Sequence, residues 1–316
     1  MSKQVDWSTV KFHPSSLYSI MAGSDKKTKM QLWEEACEEA IKKTLSYDKL
    51  KKKDGPRAAY LLEAIEKFET MIPILHAQRL EKEPISAGCK TYLSGVYSFQ
   101  KYGKYSVNKD VGSRETQKGK EVEDESLALV SLLEGKKIIK NQYRIEDEHF
   151  SGHPDAFEGE SIQFADIIHD VKSPWDAETF FATLNKDLPS VYYWQMQAYM
   201  ALTNAPVAYV HFCLVDTPER FIKDVSDRIL RSGEYISDLS PDFLLAQNEL
   251  INNMTFSDMP ISERRIKFTV ERNDSDILKA RDQVERCRGY LELIEKIHLG
   301  IELPEKEVSL IQIESE

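Results

Sequence analysis

Residues 151–172 read SGHPDAFEGESIQFADIIHDVK, and two runs inside them, Gly152-His153-Pro154-Asp155 and Asp170-Val171-Lys172, decide how the rest of the chain is read. They fall in the last two of three β-like segments, Lys137 to Ile145, Glu148 to Phe157 and Phe164 to Lys172, whose close succession predicts an antiparallel start to a sheet. Residues i and i+2 of a strand share a face, so Asp170 and Lys172 point the same way, and Asp155 on the neighbouring strand meets them across the pair. Two carboxylates and an ammonium then converge. Such oxygens suit a hard cation, Mg²⁺ or Mn²⁺, that keeps several waters and completes its shell with a phosphate; the Val171 backbone carbonyl adds a ligand from the strand edge. A lysine beside the cation lowers the pKa of an attacking water or neutralises charge on a phosphorane-like transition state. His153 and His169 each neighbour an inward-facing residue and so point to the opposite face.

On either side of these strands the pattern is helical. Lys118 to Leu133 carries Val122, Leu127, Val130 and Leu133 at inward spacing and a cluster of acids, Glu121, Glu123, Asp124 and Glu125. Downstream come an aromatic-rich helix over Pro189 to Leu202, a mostly buried strand over Val207 to Leu214, helices over Pro218 to Ser232 and Pro241 to Ile251, a strand over Arg265 to Val270 and a long charged helix over Asp274 to Leu299. Upstream, helical spacing recurs over Met30 to Leu45, Arg57 to Glu69 and Ile85 to Lys101, with a docked arm before them that turns at His13-Pro14-Ser15-Ser16 and at Gly23-Ser24-Asp25. A polar linker spans Tyr102 to Thr116, and the acidic tail after Pro304 reads as a surface strand or loose end. The expected organisation is a mainly helical N-terminal region, 1–105, packed on an α/β core with a C-terminal helical flank, 106–316.

The 316 residues are 41% hydrophobic and 30% charged, enough to bury a sizeable core. A net charge of −11 excludes a protein that coats nucleic acid or a membrane through bulk positive charge, so any polyanion must meet a local basic patch. Ten Lys or Arg against seven acids over Lys101 to Arg144, and seven against two over Lys42 to Arg57, mark where such a patch could form. Cys37, Cys89, Cys213 and Cys287 are far apart and form no CxxC, which argues against a zinc ribbon or iron–sulfur cluster and fits reduced, mostly buried thiols. The polar N-terminus and the absence of any apolar run near 18 residues predict a cytoplasmic protein with no membrane span.

Four motifs, in order over Gly119 to Tyr199, resemble the PD-(D/E)XK nuclease superfamily, and within it the phage lambda-exonuclease and YqaJ-like recombinase branch. Gly119-Lys120-Glu121-Val122-Glu123-Asp124-Glu125-Ser126 is similar to the G-x-x-x-E-x-x-A helix and puts the family's acid at Glu123, with Glu121 or Glu125 as alternatives. Gly152-His153-Pro154-Asp155 is similar to G-x-P-D. Asp170-Val171-Lys172 takes the place of the commoner Glu-x-Lys, which shortens the arm to the metal by one methylene. Gln195-Met196-Gln197-Ala198-Tyr199 is similar to the Q-x-x-x-Y helix, whose glutamine hydrogen-bonds near the scissile phosphate; Gln195 and Tyr199, four apart, share a helix face. The resemblance implies a restriction-endonuclease-like core, a mixed central sheet flanked by helices, and a metal-dependent deoxyribonuclease acting as a 5′→3′ exonuclease on duplex ends in recombination or repair. It implies that Asp155, Asp170 and the Val171 carbonyl hold Mg²⁺ or Mn²⁺, with Glu123 binding it directly or through water. Lys172 then assists water attack, and Gln195 with Tyr199 positions the substrate. The His13-Pro14-Ser15-Ser16 arm loosely resembles the N-terminal Ser-containing segment that helps hold the terminal phosphate in phage exonucleases, which makes Ser15 and Ser16 candidate DNA contacts beside Lys118 and Lys120. A ring-shaped homo-oligomer, often a trimer, and a single-strand annealing protein as partner are implied too. An endonuclease, or a DNA-binding scaffold of the same fold that has lost catalysis, would share these residues. Trp175, directly after the third strand, is expected to pack under the site.

Overall fold

The computed structural model describes residues 3–21, 29–78, 85–105 and 112–301. The turn expected at Gly23-Ser24-Asp25, the middle of the Tyr102 to Thr116 linker and the tail after Pro304 lie outside them. The described residues fall into two compact units, one drawn from 1–21 and 91–302, the other from 22–90.

In the larger unit the N-terminal segment makes two short 3₁₀ turns, Trp7–Thr9 and Pro14–Ser16, and the helix α1 (Leu17–Met21). In the smaller unit α2 (Lys29–Asp48) packs on α3 (Pro56–Gln78), with Ala36, Ala58 and Leu61 buried and the Trp33 ring edge-on to His76. Pro56 starts α3 where its missing N–H costs nothing. The helix runs on past Glu69 and through Pro73, further than its apolar spacing alone predicts. Helix α4 (Ala87–Tyr102) then leads into the core.

The single helix expected over Lys118 to Leu133 is two. Helix α5 (Arg114–Glu121) stops at Val122, buried with ψ near 16°, and α6 (Glu123–Glu134) starts at the next residue. This break explains the acid cluster. Glu123, Asp124 and Glu125 form the first turn of α6, where carboxylates favour the positive end of the helix dipole. Gly135, at φ 66°, closes the far end in the left-handed conformation that a side chain disfavours.

The strands are shorter at the start than their sequence suggests. Lys137 to Ile145 yields only β1 (Ile139–Lys140) and the first residue of β2 (Ile145–Glu146), and Glu148 to Phe157 splits into β3 (Ser151–Gly152) and β4 (Ala156–Gly159) around Pro154. Proline has no N–H to give to a ladder, which accounts for the interruption. Strands β5 (Ala165–Lys172), β6 (Val207–Cys213) and β7 (Arg265–Glu271) complete a five-stranded sheet in the order β1-β4-β5-β6-β7, while β2 and β3 pair separately. As expected the sheet begins antiparallel; β5 and β6 are parallel and β7 is again antiparallel.

Between β5 and β6 run α7 (Ala177–Phe181) and α8 (Ser190–Thr203); α9 (Glu219–Arg231), α10 (Pro241–Met254) and, after β7, α11 (Asp274–His298) complete the unit. Strand alternation decides which helix covers which face. Ile168, Ala208, Val210 and Phe212 form one core with Met196, Tyr199 and Met200 of α8. Val171 and Cys213, one residue out of phase, form the other with Val122, Leu127 and Val130. Helices therefore sandwich a mixed sheet, the α/β architecture expected. Cys89, Cys213 and Cys287 are buried, and none of the four cysteines forms a disulfide among the described residues. Among the described residues no helix is long and apolar enough to cross a membrane.

Candidate active site

The β4–β5 register pairs Ala156 with His169, and continued by one residue it sets Asp155 beside Asp170. Asp155 Oδ2 accepts the Val171 N–H at 2.8 Å, which ties the Pro-Asp turn to the centre of β5. Asp170 is fully buried. Its Oδ1 accepts a hydrogen bond from Gln195 Nε2 at 3.1 Å. Its Oδ2 lies 2.5 Å from Lys172 Nζ as an ion pair. The ammonium also sits over the Tyr192 ring, 5.2 Å from its centroid. The turn before β4, strand β5 and α8 thus bring their residues to one point.

Loss of water, then the neighbouring charge of Asp170, pushes the Asp155 carboxyl above the usual carboxylate range. Burial pushes Asp170 up too, against the pull of Lys172. For Lys172 burial works against the charge, but Asp170 and Asp155 outweigh it and hold the ammonium above its ordinary value. The lysine therefore stays a cation at any physiological pH.

Of the three acids that the first motif left open, Glu123 is the one whose charge acts on both aspartates. Glu121 is taken by Arg220 of α9, and Glu125 is exposed. Glu123 pairs with Lys140 of β1 at 3.0 Å, and the same ammonium reaches Asp124 at 2.6 Å. The donor set fits a hard divalent cation: the buried Asp170 carboxylate, a second carboxylate held beside it, the backbone carbonyl of Val171 and a nearby glutamate.

Tyr199 is expected on the substrate side, but its ring is buried and its hydroxyl donates to the His153 carbonyl at 3.1 Å, so it braces the Pro-Asp turn from beneath. Gly152 is needed for the same packing. A Cβ there would lie 2.7 Å from Pro14 Cγ and 2.8 Å from Tyr199 Cε1, both parts of rigid rings. Gly152→Ala is expected to lower stability by about 1–3 kcal/mol through overpacking, read as a lower denaturant midpoint; an unchanged midpoint would show that this contact is loose.

The N-terminal arm docks through backbone hydrogen bonds as well. Phe12 accepts from Ser151 and donates to the His149 carbonyl, while Arg288 of α11 donates to the carbonyls of Val10 and Glu148. Ser15 is exposed, its Oγ 2.9 Å from His13 Nδ1, and Ser16 is half-buried. Burial first, then the charges of Arg144 and His153, depress the His13 pKa.

The two lysines expected to touch DNA part company. Lys120 is exposed. Lys118 is fully buried, and its ammonium donates to the carbonyls of Pro174 and Trp175, so it cannot contact a phosphate from solvent. Its site between the Trp175 and Phe256 rings costs water around the charge, and the pKa drops to about 8. Lys118 instead holds the segment that leaves β5, and Trp175 packs edge-on against Phe221 as expected.

Sequence reading missed Asn141. This buried side chain donates to the carbonyls of Pro154 and Tyr143, and its backbone N–H donates to the Asp155 carbonyl, so it clamps the turn from the β1 side. An asparagine inside an apparent strand was the available signal, because Asn favours turns over strands. His211 was passed over as well, whereas His169 is turned away from Asp170 as expected. They stack on the sheet face opposite Asp170, with His169 Nε2 2.9 Å from Glu158.

Helices on both faces of this mixed sheet, with two aspartates and a lysine at β4 and β5, define a restriction-endonuclease-like fold. A phage-related exonuclease from Haemophilus somnus 129PT has a similar structure, with a TM-score of 0.56 over 92% of this chain and 97% of that one at 20% identity. At that identity the likeness establishes the fold, the one that the four motifs imply. An alkaline exonuclease from Laribacter hongkongensis, also solved in complex with dAMP, aligns at 16% identity over 69% of this chain and 88% of its own, with TM-scores of 0.44 and 0.43. No family model matches the sequence, and no curated protein matches it.

Proposed function

We propose that this chain is a metal-dependent deoxyribonuclease, and that it works as a 5′→3′ exonuclease on duplex DNA ends. The observation that carries the proposal is the buried Asp170, joined to Lys172 and beside Asp155, in a fold shared with a phage-related exonuclease. Asp155, Asp170, the Val171 carbonyl and Glu123 would hold Mg²⁺ or Mn²⁺. Bound there, the cation supplies Lewis-acid stabilisation of the phosphate and lowers the pKa of an attacking water.

The chain's own groups do the rest. Lys172 keeps a positive charge beside the reacting phosphate. Gln195 orients Asp170 through its Oδ1, and Tyr199 and Asn141 hold the Pro-Asp turn in place. Lys140 balances Glu123. The trimeric ring and the annealing partner implied by the family resemblance belong to the same proposal, and the molar mass in solution tests the first.

A time course on linear duplexes bearing a 5′-phosphate or a 5′-hydroxyl, beside a closed circle, with and without Mg²⁺, tests the activity. The expected result is Mg²⁺-dependent loss of nucleotides from linear ends only. Cleavage of the closed circle would overturn the exonuclease assignment, and no cleavage of any substrate would overturn the nuclease.

The raised carboxyls also set a pH dependence. Without metal the aspartate pair keeps a proton above the usual carboxylate range, and a cation must displace it. Apparent Mg²⁺ affinity is therefore expected to climb with pH from the ordinary carboxylate range until the pair has lost its proton, then level off. Stability of the metal-free chain runs the other way. The folded pair binds a proton that the unfolded chain has released, so stability falls as pH rises through that window. Calorimetry in buffers of different ionisation heat reads the proton release directly, and binding with none at pH 6 would contradict these assignments.

A further inference from the structure

We propose that the groove between the N-terminal segment and the C-terminal half of α4 is a second nucleic-acid subsite, which takes a single DNA strand next to the catalytic aspartates; this rests on the nuclease reading above. The cavity there measures about 920 Å³. Its lining comes from the stretches Lys3 to His13 and Tyr92 to Tyr105, together with Arg144, Glu146 and Ser151.

Charge makes the first case. On a chain of net charge −11, this groove is lined by Lys3, Lys11, Lys104 and Arg144 against two acids. Both acids are engaged: Glu146 is paired with Lys11 at 2.8 Å, and Asp6 accepts from the Ser8 N–H and hydroxyl. Lys3, Lys104 and Arg144 have no carboxylate within ion-pair distance among the described residues, and Arg144 donates only to Ser151 Oγ, at 3.3 Å. Three cations without a close ion pair along one groove suit successive phosphates.

Aromatic surface makes the second. Phe99 and Tyr105, 52% and 56% exposed, line the groove with their ring centroids 6.4 Å apart, and Tyr92, also in the lining, leans on the buried Phe12. Large exposed rings interleaved with cations form the platform on which unpaired bases stack, and a duplex, whose bases are already stacked, cannot use it.

Continuity makes the third. His13 and Ser151 line the groove, and the next residues, Pro14 and Gly152, pack ring on backbone directly before Pro154-Asp155. A strand in the groove therefore lies beside the turn that carries a catalytic aspartate. It fits either the unpaired end approaching the aspartates or the strand left behind.

The test uses the full chain carrying Asp155→Asn, so that DNA survives the measurement, and a fluorescent oligothymidylate of about twelve nucleotides. Adding Phe99→Ala or Tyr105→Ala is expected to weaken binding about five- to a hundredfold without lowering the unfolding midpoint, since both rings are exposed. A strand of the same length lacking bases should bind the Asp155→Asn chain as weakly. Lys104→Gln and Arg144→Gln should each reduce the slope of log affinity against log salt by about 0.7. Affinity within twofold for both aromatic variants, or equal binding of the base-free strand, overturns the subsite. The nuclease reading fails separately: groove-dependent binding with no cleavage by the unmutated chain in Mg²⁺ refutes the enzyme and leaves the binding site standing.

Discussion

Asp155→Asn and Asp170→Asn are each expected to lower DNA cleavage by at least about a thousandfold, roughly 4 kcal/mol of transition-state stabilisation at 1.36 kcal/mol per decade. The two variants should differ in stability, which separates a metal-site role from a structural one. In Asp155→Asn the amide oxygen can still accept the Val171 N–H, the Asp170–Lys172 pair is intact and the repulsion between the two carboxylates is gone. That variant should melt at or above the parent temperature. Asp170→Asn keeps an acceptor for Gln195 but leaves the Lys172 ammonium with only Asp155 to face, and it should melt lower. Both should lose Mg²⁺ binding measured by calorimetry. Full activity of either in saturating Mg²⁺ would remove that residue from the metal site.

Lys172→Ala is expected to slow single-turnover cleavage by about two to four orders of magnitude, the range for losing one charged group that acts on developing charge. Because Asp170 and Asp155 keep this lysine protonated, its contribution is a fixed positive charge rather than proton abstraction. The rate–pH profile of the parent should accordingly carry no limb that Lys172→Ala removes. Arginine should recover little, since its planar fork cannot take the place of a compact ammonium 2.5 Å from Asp170 Oδ2 and over the Tyr192 ring. Loss of the ammonium also leaves Asp170 buried without its cation and raises its proton affinity further, so Mg²⁺ binding should weaken near neutral pH and recover at higher pH. A Lys172→Ala rate within tenfold of the parent, at saturating enzyme and metal, would refute the role.

The Gln195 helix and the two aspartate strands were legible because strand and helix periodicity are local: the spacing of apolar residues reports which side chains share a face. The same rule put Asp170 and Lys172 together and turned His169 away from them, and the structure agrees on both. Periodicity was less able to say where an element ends. It ran one helix through Val122, although the break there is what sets Glu123 at a helix start, and it drew Glu148 to Phe157 as a single strand across Pro154.

By itself, then, the sequence determined the α/β class, the antiparallel start of the sheet and the order of the four motifs, all of which depend on spacing within one element or between neighbours in the chain. Tertiary structure alone decided that Lys118 is buried under Trp175, that Tyr199 braces a turn, and that Asn141 clamps that turn from β1. It alone brought Pro14 against Gly152, 138 residues further along the chain. Burial and hydrogen bonding between distant segments belong to the assembled chain: whether a lysine meets solvent or two carbonyls depends on what folds over it, and no local pattern of residues carries that information.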